Sequence, residues 1–141
     1  MIMTPDSGPR ISDYKNAEDN MAKRVLIADD ASFMRLMLKN ILEGAGYEVV
    51  GEAGNGKEAI QKYRELKPDM LISDMVMPEM GGIDVLKEVL AEFPDANVLI
   101  CSAIGQQALV IEAIQAGAKD YIVKPFEQSN VLETVAKIIG K

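Results

Sequence analysis

The chain has 141 residues, 48% of them hydrophobic, which is enough for one compact domain with a substantial core and too few for two. A formal net charge of −7, with no block of Lys or Arg, argues against phosphate-backbone contacts and so against nucleic acid as a partner. The absence of histidine removes imidazole bases, imidazole metal ligands and histidine nucleophiles together, so any chemistry has to run on carboxylates, hydroxyls, lysine or backbone.

The single cysteine, Cys101, ends the apolar run Asn97-Val98-Leu99-Ile100-Cys101 and reads as a small buried core residue; an internal disulfide is impossible. No apolar stretch approaches the ~18 residues of a membrane span, and the N-terminus lacks a basic segment followed by an apolar one. A cytoplasmic protein without membrane contact is therefore expected.

Residues 1–22 are expected to be a flexible N-terminal extension: the first twenty are polar, carry Pro5, Gly8 and Pro9, and show no apolar period, and Met21 is an alternative start. The domain proper is expected over 23–141. Arg24-Val25-Leu26-Ile27-Ala28 is continuously apolar after its first residue, as in a strand covered on both faces. Phe33, Leu36, Met37, Asn40 and Ile41 then follow helical spacing, with Ser32 or Asp30 as the cap and Gly44 and Gly46 marking the end. A strand over 48–52 leads to a helix from Gly56 to about Leu66, stopped before Pro68, and Met70 to Ser73 forms a strand whose end delivers Asp74. Beyond a loop with Pro78, Gly81 and Gly82, the positions Ile83, Leu86, Val89, Leu90 and Phe93 predict a helix. Val98 to Cys101 is the next strand, and Leu109, Val110, Ile111 and Ile114 belong to a helix ending at Gly117. Tyr121 to Val123 completes the strands. The last helix carries Val131, Leu132, Val135, Ile138 and Ile139 on one face, with Asn130 and Glu133 spaced like a cap and its reciprocal partner.

Five strand–helix repeats with short connections predict an α/β domain: a doubly wound, five-stranded parallel sheet with right-handed crossovers and helices on both faces. Ligands of such sheets bind at the carboxyl ends of the strands. The residues there are Asp29 and Asp30 after the first strand, Asp74 after the third, Ser102 after the fourth, and Lys124, before Pro125, after the fifth. Taken singly, Asp30 reads as a helix cap, Lys124 as a solvated lysine and Ser102 as a turn residue. Their joint placement on one sheet edge outweighs those separate readings. Clustered carboxylates repel unless a cation sits among them, and oxygen ligands without His or Cys select Mg²⁺ (or Mn²⁺). Asp74, followed by an irregular loop, has an oxygen available to attack phosphorus, while Lys124 and Ser102 can neutralise the equatorial phosphoryl oxygens.

From about Lys23 to Gly140 the chain resembles the receiver domains of two-component response regulators. Asp29-Asp30 resembles the family's acidic pair, Asp74-Met75-Val76-Met77-Pro78-Glu79-Met80-Gly81-Gly82 its phosphoacceptor loop, Ser102-Ala103 its hydroxyl switch position and Lys124-Pro125-Phe126 its lysine motif. The resemblance implies the strand order 2-1-3-4-5, a cis Lys124–Pro125 bond, phosphorylation of Asp74 with Mg²⁺, and a metal site made by Asp29, Asp30, Asp74 and the backbone carbonyl of Val76. It further implies Tyr121 as an aromatic switch coupled to Ser102, and catalysis limited to the protein's own phosphorylation and dephosphorylation. The runs 28–35 and 101–107 are most similar to chemotaxis regulators. That implies a CheA-like sensor histidine kinase, a flagellar motor switch protein or another protein target, a partner phosphatase and a monomeric state. With the chain ending after the fifth helix, no DNA-binding output domain is expected, and the fourth helix, fifth strand and fifth helix are expected to form the partner surface. Val76 and Ile104 stand where fast-hydrolysing members carry an amide or acid, so slow autodephosphorylation is expected.

Three other classes compete. A haloacid-dehalogenase-like phosphatase uses a similar set of groups but needs an acid two positions after its nucleophile, where this chain has Val76. A flavodoxin-like FMN carrier would share the fold, yet Asp29 and Asp30 would repel its phosphate. A receiver-shaped binding module without phosphorylation leaves the polar set without a role. A stand-alone receiver of another phosphorelay, of stress or sporulation type, is the nearest alternative.

Overall fold

The computed structural model describes residues 21–140. The expected extension over 1–22 lies outside the described residues except for Met21 and Ala22, both exposed. Strands β1 (Arg24–Ala28), β2 (Glu48–Ala53), β3 (Met70–Asp74), β4 (Val98–Ser102) and β5 (Asp120–Val123) form one parallel sheet in the order β2-β1-β3-β4-β5. Between and after them run α1 (Ser32–Gly44), α2 (Gly56–Leu66), α3 (Gly82–Glu92), α4 (Gln107–Gln115) and α5 (Gln128–Ile139). The order reverses at β1, so β1 and β3 leave a crevice at their carboxyl ends, as doubly wound sheets do.

Strand alternation divides the core in two. Val25, Ile27, Met70, Ile72, Leu99 and Cys101 face α1 and α5, meeting Leu38, Leu42, Val131 and Val135. Leu26, Ala28, Leu71, Val98 and Ile100 face α2, α3 and α4, meeting Ala59, Tyr63, Val85, Leu86 and Ala113. Both faces are buried, which explains why the strands read as unbroken apolar runs.

The helix α2 matches its expected bounds, with the Asn55 side chain accepting from the Glu58 amide at 2.9 Å and Lys67 in the left-handed conformation just before Pro68. Three local expectations are corrected. In α1 the buried residues are Leu38 and Leu42, with Ile41 packed beside them, whereas Phe33, Leu36 and Asn40 are exposed. Apolar residues encircle that helix, so two stripes are legible in its spacing, and contact with the sheet and α5 selects one. The residue before α1 is Ala31, with no side-chain cap; Ser32 is already helical and Asp30 does not cap. The helix α5 begins at Gln128 behind Glu127, so Asn130 and Glu133 lie inside it rather than at its cap, and Ser129 Oγ donates to Glu127 Oε1 at 2.9 Å instead. The Lys124–Pro125 peptide is cis, as expected.

At the outer strand β5 the Tyr121 amide donates to its neighbour's side chain, Asp120 Oδ1, at 2.8 Å, and Asp120 Oδ2 pairs with Lys137 of α5 at 2.6 Å. No helix among the described residues is long and apolar enough to cross a membrane.

Candidate functional site

The crevice at the ends of β1 and β3 gathers Asp29, Asp30, Asp74 and Lys124. The three carboxylates each offer one oxygen, all within 4.8 Å of one another. Asp29 is buried and held from several sides: its amide donates to the Ala53 carbonyl at 3.0 Å, its Oδ1 accepts from the Ala31 amide at 2.8 Å, and its carbonyl accepts from Arg35 Nη1 at 2.5 Å. Lys124 Nζ lies 2.8 Å from Asp29 Oδ2 and 3.3 Å from Asp74 Oδ2. The shorter contact has ion-pair distance without hydrogen-bond angles, which leaves the buried Asp29 Oδ2 without a hydrogen bond. Asp74 Oδ1 accepts from the Met75 amide at 2.9 Å, so its oxygens are unequal: one fixed by backbone, one shared only with Lys124.

Burial raises the Asp74 carboxyl above its ordinary value, and the nearby Asp29 charge raises it further; Lys124 and the Met75 amide pull the other way and lose. For Lys124, burial acts to lower the value, yet its contact with Asp29 and the charges of Asp74 and Asp29 outweigh that and hold the ammonium in its charged form. One lysine therefore answers two of the three clustered carboxylates. A set made only of hard oxygen donors, with a buried carboxylate oxygen lacking a hydrogen bond and a net negative balance, fits a divalent cation such as Mg²⁺.

The other expected residues sit farther along the edge. Ser102 is buried at the end of β4, one position beyond Cys101, which pairs with Asp74 in the sheet; its carbonyl accepts from the Lys124 amide at 2.8 Å. Tyr121 is not part of the acidic cluster. Its ring is half-exposed and lines a groove of about 540 Å³ with Ser102, Ile104, Ile111, Ile114 and Val123. The side chains of Val76 and Ile104 are exposed, 57% and 81% respectively, so neither packs into the core. Cys101 is fully buried, and burial, aided by the Asp74 charge, drives its thiol far up, leaving it inert.

Three contributors escape sequence reasoning. A Cβ at Gly82 would collide with the Asp74 carbonyl, and one at Gly56 with the Met80 carbonyl, so these glycines let the loop after β3 close against its neighbours. Glycine next to a loop signals a turn, and nothing in the sequence distinguishes a close approach. Arg35, in the first turn of α1, reaches the Asp29 carbonyl, a contact that no residue spacing announces.

The fold and the polar crevice are those of a signalling receiver, and the chain belongs to the response regulator receiver domain family, whose model matches residues 25–136. Among its relatives, it is similar to the chemotaxis protein CheY of Thermotoga maritima, 62% identical over 118 residues that cover 84% of this chain and 98% of that protein. The CheY of Bacillus subtilis is 55% identical over 120 residues, covering 85% and 100%. A chain from the crystal structure of the CheX–CheY–BeF3–Mg²⁺ complex of Borrelia burgdorferi superposes with a TM-score of 0.83 at 33% identity, over 89% of this chain and 96% of that one. The expected strand order and fold class are thus borne out.

Proposed function

We propose that the protein is a phosphorylation-dependent switch in chemotaxis signalling, taking a phosphoryl group from a histidine kinase onto Asp74. The observation that carries this reading is the Asp29–Lys124–Asp74 contact set, in which one lysine bridges two carboxylates at the end of adjacent strands. An Asp74 oxygen forms a bond to phosphorus as the phosphorus–nitrogen bond of the donor phosphohistidine breaks, and the leaving imidazole keeps the electron pair and takes up a proton. Bound Mg²⁺ would neutralise the phosphoryl oxygens; Asp29, Asp30, Asp74 and the Val76 carbonyl would hold it. Lys124 supplies a second positive charge to the same oxygens. The Ser102 hydroxyl, on the neighbouring strand, accepts the role of hydrogen-bond donor to phosphate. Its shift is relayed to Tyr121 and the groove between α4 and β5, which then changes its affinity for a motor-switch or other protein target.

The CheY relatives support the chemotactic pathway, and the Borrelia burgdorferi complex supports CheX-type partners and Mg²⁺ as relevant chemistry. Since Val76 and Ile104 carry no group that orients water, the phosphoprotein is long-lived unless a partner phosphatase supplies one. The test is intact-mass detection of phosphate after exposure to a small-molecule phosphodonor. A single phosphate that requires both Mg²⁺ and Asp74, and is lost in Asp74→Asn, is expected; no modification by any donor or kinase would reduce the protein to a binding module. Val76→Asn should shorten the lifetime of the phosphoprotein, and an unchanged decay rate would refute the account of slow hydrolysis.

A further inference from the structure

We propose that Arg35 is a positioning residue for the cation site, acting through the backbone of Asp29; the inference rests on the reading of the acidic crevice as a Mg²⁺ site. The Arg35 guanidinium spans two elements. Its Nη1 donates to the Asp29 carbonyl at 2.5 Å, at the mouth of β1, and its Nε donates to Glu52 Oε1 at 3.0 Å, near the end of β2. The Arg35 side chain is mostly buried, at 19% exposure, so the fork is held in place by its surroundings.

That fork fixes the Asp29–Asp30 peptide plane. Asp29 is already held at its amide and at Oδ1, but its carbonyl lies beyond the β1 ladder, where Arg35 is its side-chain partner. The same peptide plane sets the direction in which the exposed Asp30 side chain leaves the backbone. Three carboxylates within 4.8 Å push one another apart, and a free peptide would let that repulsion swing Asp30 away. Glu52 is braced in turn. Its carbonyl accepts from Lys62 Nζ, Lys62 pairs with Glu58 at 3.6 Å, and Glu58 Oε1 accepts from the Gly54 amide at 2.6 Å. The brace therefore runs from the turn after β2 through α2 to the turn after β1, and it uses the planar geometry that distinguishes Arg from Lys.

Charge and position make opposite demands. Arg35 is a cation beside a cation site, so by Coulomb's law alone its removal should tighten metal binding. As a brace, its removal should weaken binding, and outer contacts of this kind typically contribute about 10–100-fold in metal affinity.

The experiment is a Mn²⁺ titration of the full chain followed by electron paramagnetic resonance of the free ion, with circular dichroism and an unfolding midpoint in chelator to confirm that each variant folds. Arg35→Met, which keeps the apolar stem, should bind Mn²⁺ roughly tenfold more weakly than the unaltered protein. Glu52→Gln should also weaken binding, by a smaller factor, but it removes a negative charge as well as loosening the brace, so Arg35→Lys decides the matter if Arg35→Met does not fold. Arg35→Lys keeps the charge and loses the fork, so its affinity should stay reduced. Unchanged or tighter binding by Arg35→Met, or full recovery in Arg35→Lys, would overturn the brace. Failure of the unaltered protein to take up Mn²⁺ at all would instead overturn the cation site itself, and the inference with it.

Discussion

The acidic crevice and the wall formed by α4 and β5 break the usual inside–outside rule in opposite directions. In the crevice, charged groups are buried: Asp29 is 1% exposed and Asp74 is 9% exposed. Along the wall, apolar groups are exposed: Ile111, Ile114 and Tyr121 face solvent, and only Ala113 of α4 is buried. Six of the nine α4 residues are aliphatic, yet that helix has the smallest buried share. The polar helix α2, by contrast, buries Ala59, Ile60 and Tyr63. Hydrophobic content alone therefore does not tell which helix anchors the fold. Buried charge costs stability and is tolerated where chemistry needs it, while exposed apolar surface is tolerated where a partner will cover it.

Four substitutions sharpen the contrast. The largest effect is expected from Lys124→Met, which leaves Asp29 buried without its cation; a loss of about 3–5 kcal/mol in chemical denaturation is expected. Added Mg²⁺ should recover part of that loss, and a variant as stable as the parent would show that the pair carries no structural weight. Next comes Gly82→Ala, whose Cβ meets the Asp74 carbonyl. Because backbone cannot rotate out of the way, about 1–3 kcal/mol should be lost, together with the phosphorylation proposed for Asp74.

Asp74→Asn should act with the opposite sign. Burial and the Asp29 charge raise the Asp74 carboxyl in the fold, so the stability tied to its neutral form is full below the ordinary carboxylate value of 3.8 and is lost as pH rises through the raised one. At neutral pH without divalent cation the fold thus carries an unfavourable charge, and removing it should stabilise the protein by on the order of 1 kcal/mol. The advantage should vanish in unfolding curves recorded at acid pH; an advantage that persists there would point to a cause other than charge. The smallest effect belongs to the wall. Ile111→Gln should change stability by no more than about 0.5 kcal/mol despite deleting an aliphatic side chain, while weakening any target that docks in the groove, as a calorimetric titration with that target would reveal.

The site was more legible in the sequence than the packing around it. Asp29, Asp74, Ser102 and Lys124 stand out because each ends or follows a short apolar run, and a parallel sheet brings such ends to one edge. The face of α1 was not legible, since Phe33, Leu36 and Met37 compete with Leu38 and Leu42 for the same spacing. The start of α5 escaped for a different reason. Asn130 and Glu133 satisfy the local pattern of a cap, but the chain leaving β5 through Pro125 reaches helical geometry three residues earlier, behind Glu127. The link from Arg35 to the site was hidden because its partner there is a backbone carbonyl, and carbonyls leave no mark on residue type.

Asp120 gives the sheet's outer boundary a property of its own. An open strand ordinarily offers amides to any extended segment that drifts past, and so invites sheets to stack edge to edge. Here the Tyr121 amide is already answered by the neighbouring carboxylate, which is itself tethered to Lys137, on a strand of only four residues. The margin beside the exposed groove is therefore a poor template for strand recruitment, and the apolar wall can stay open to a partner without also nucleating aggregation.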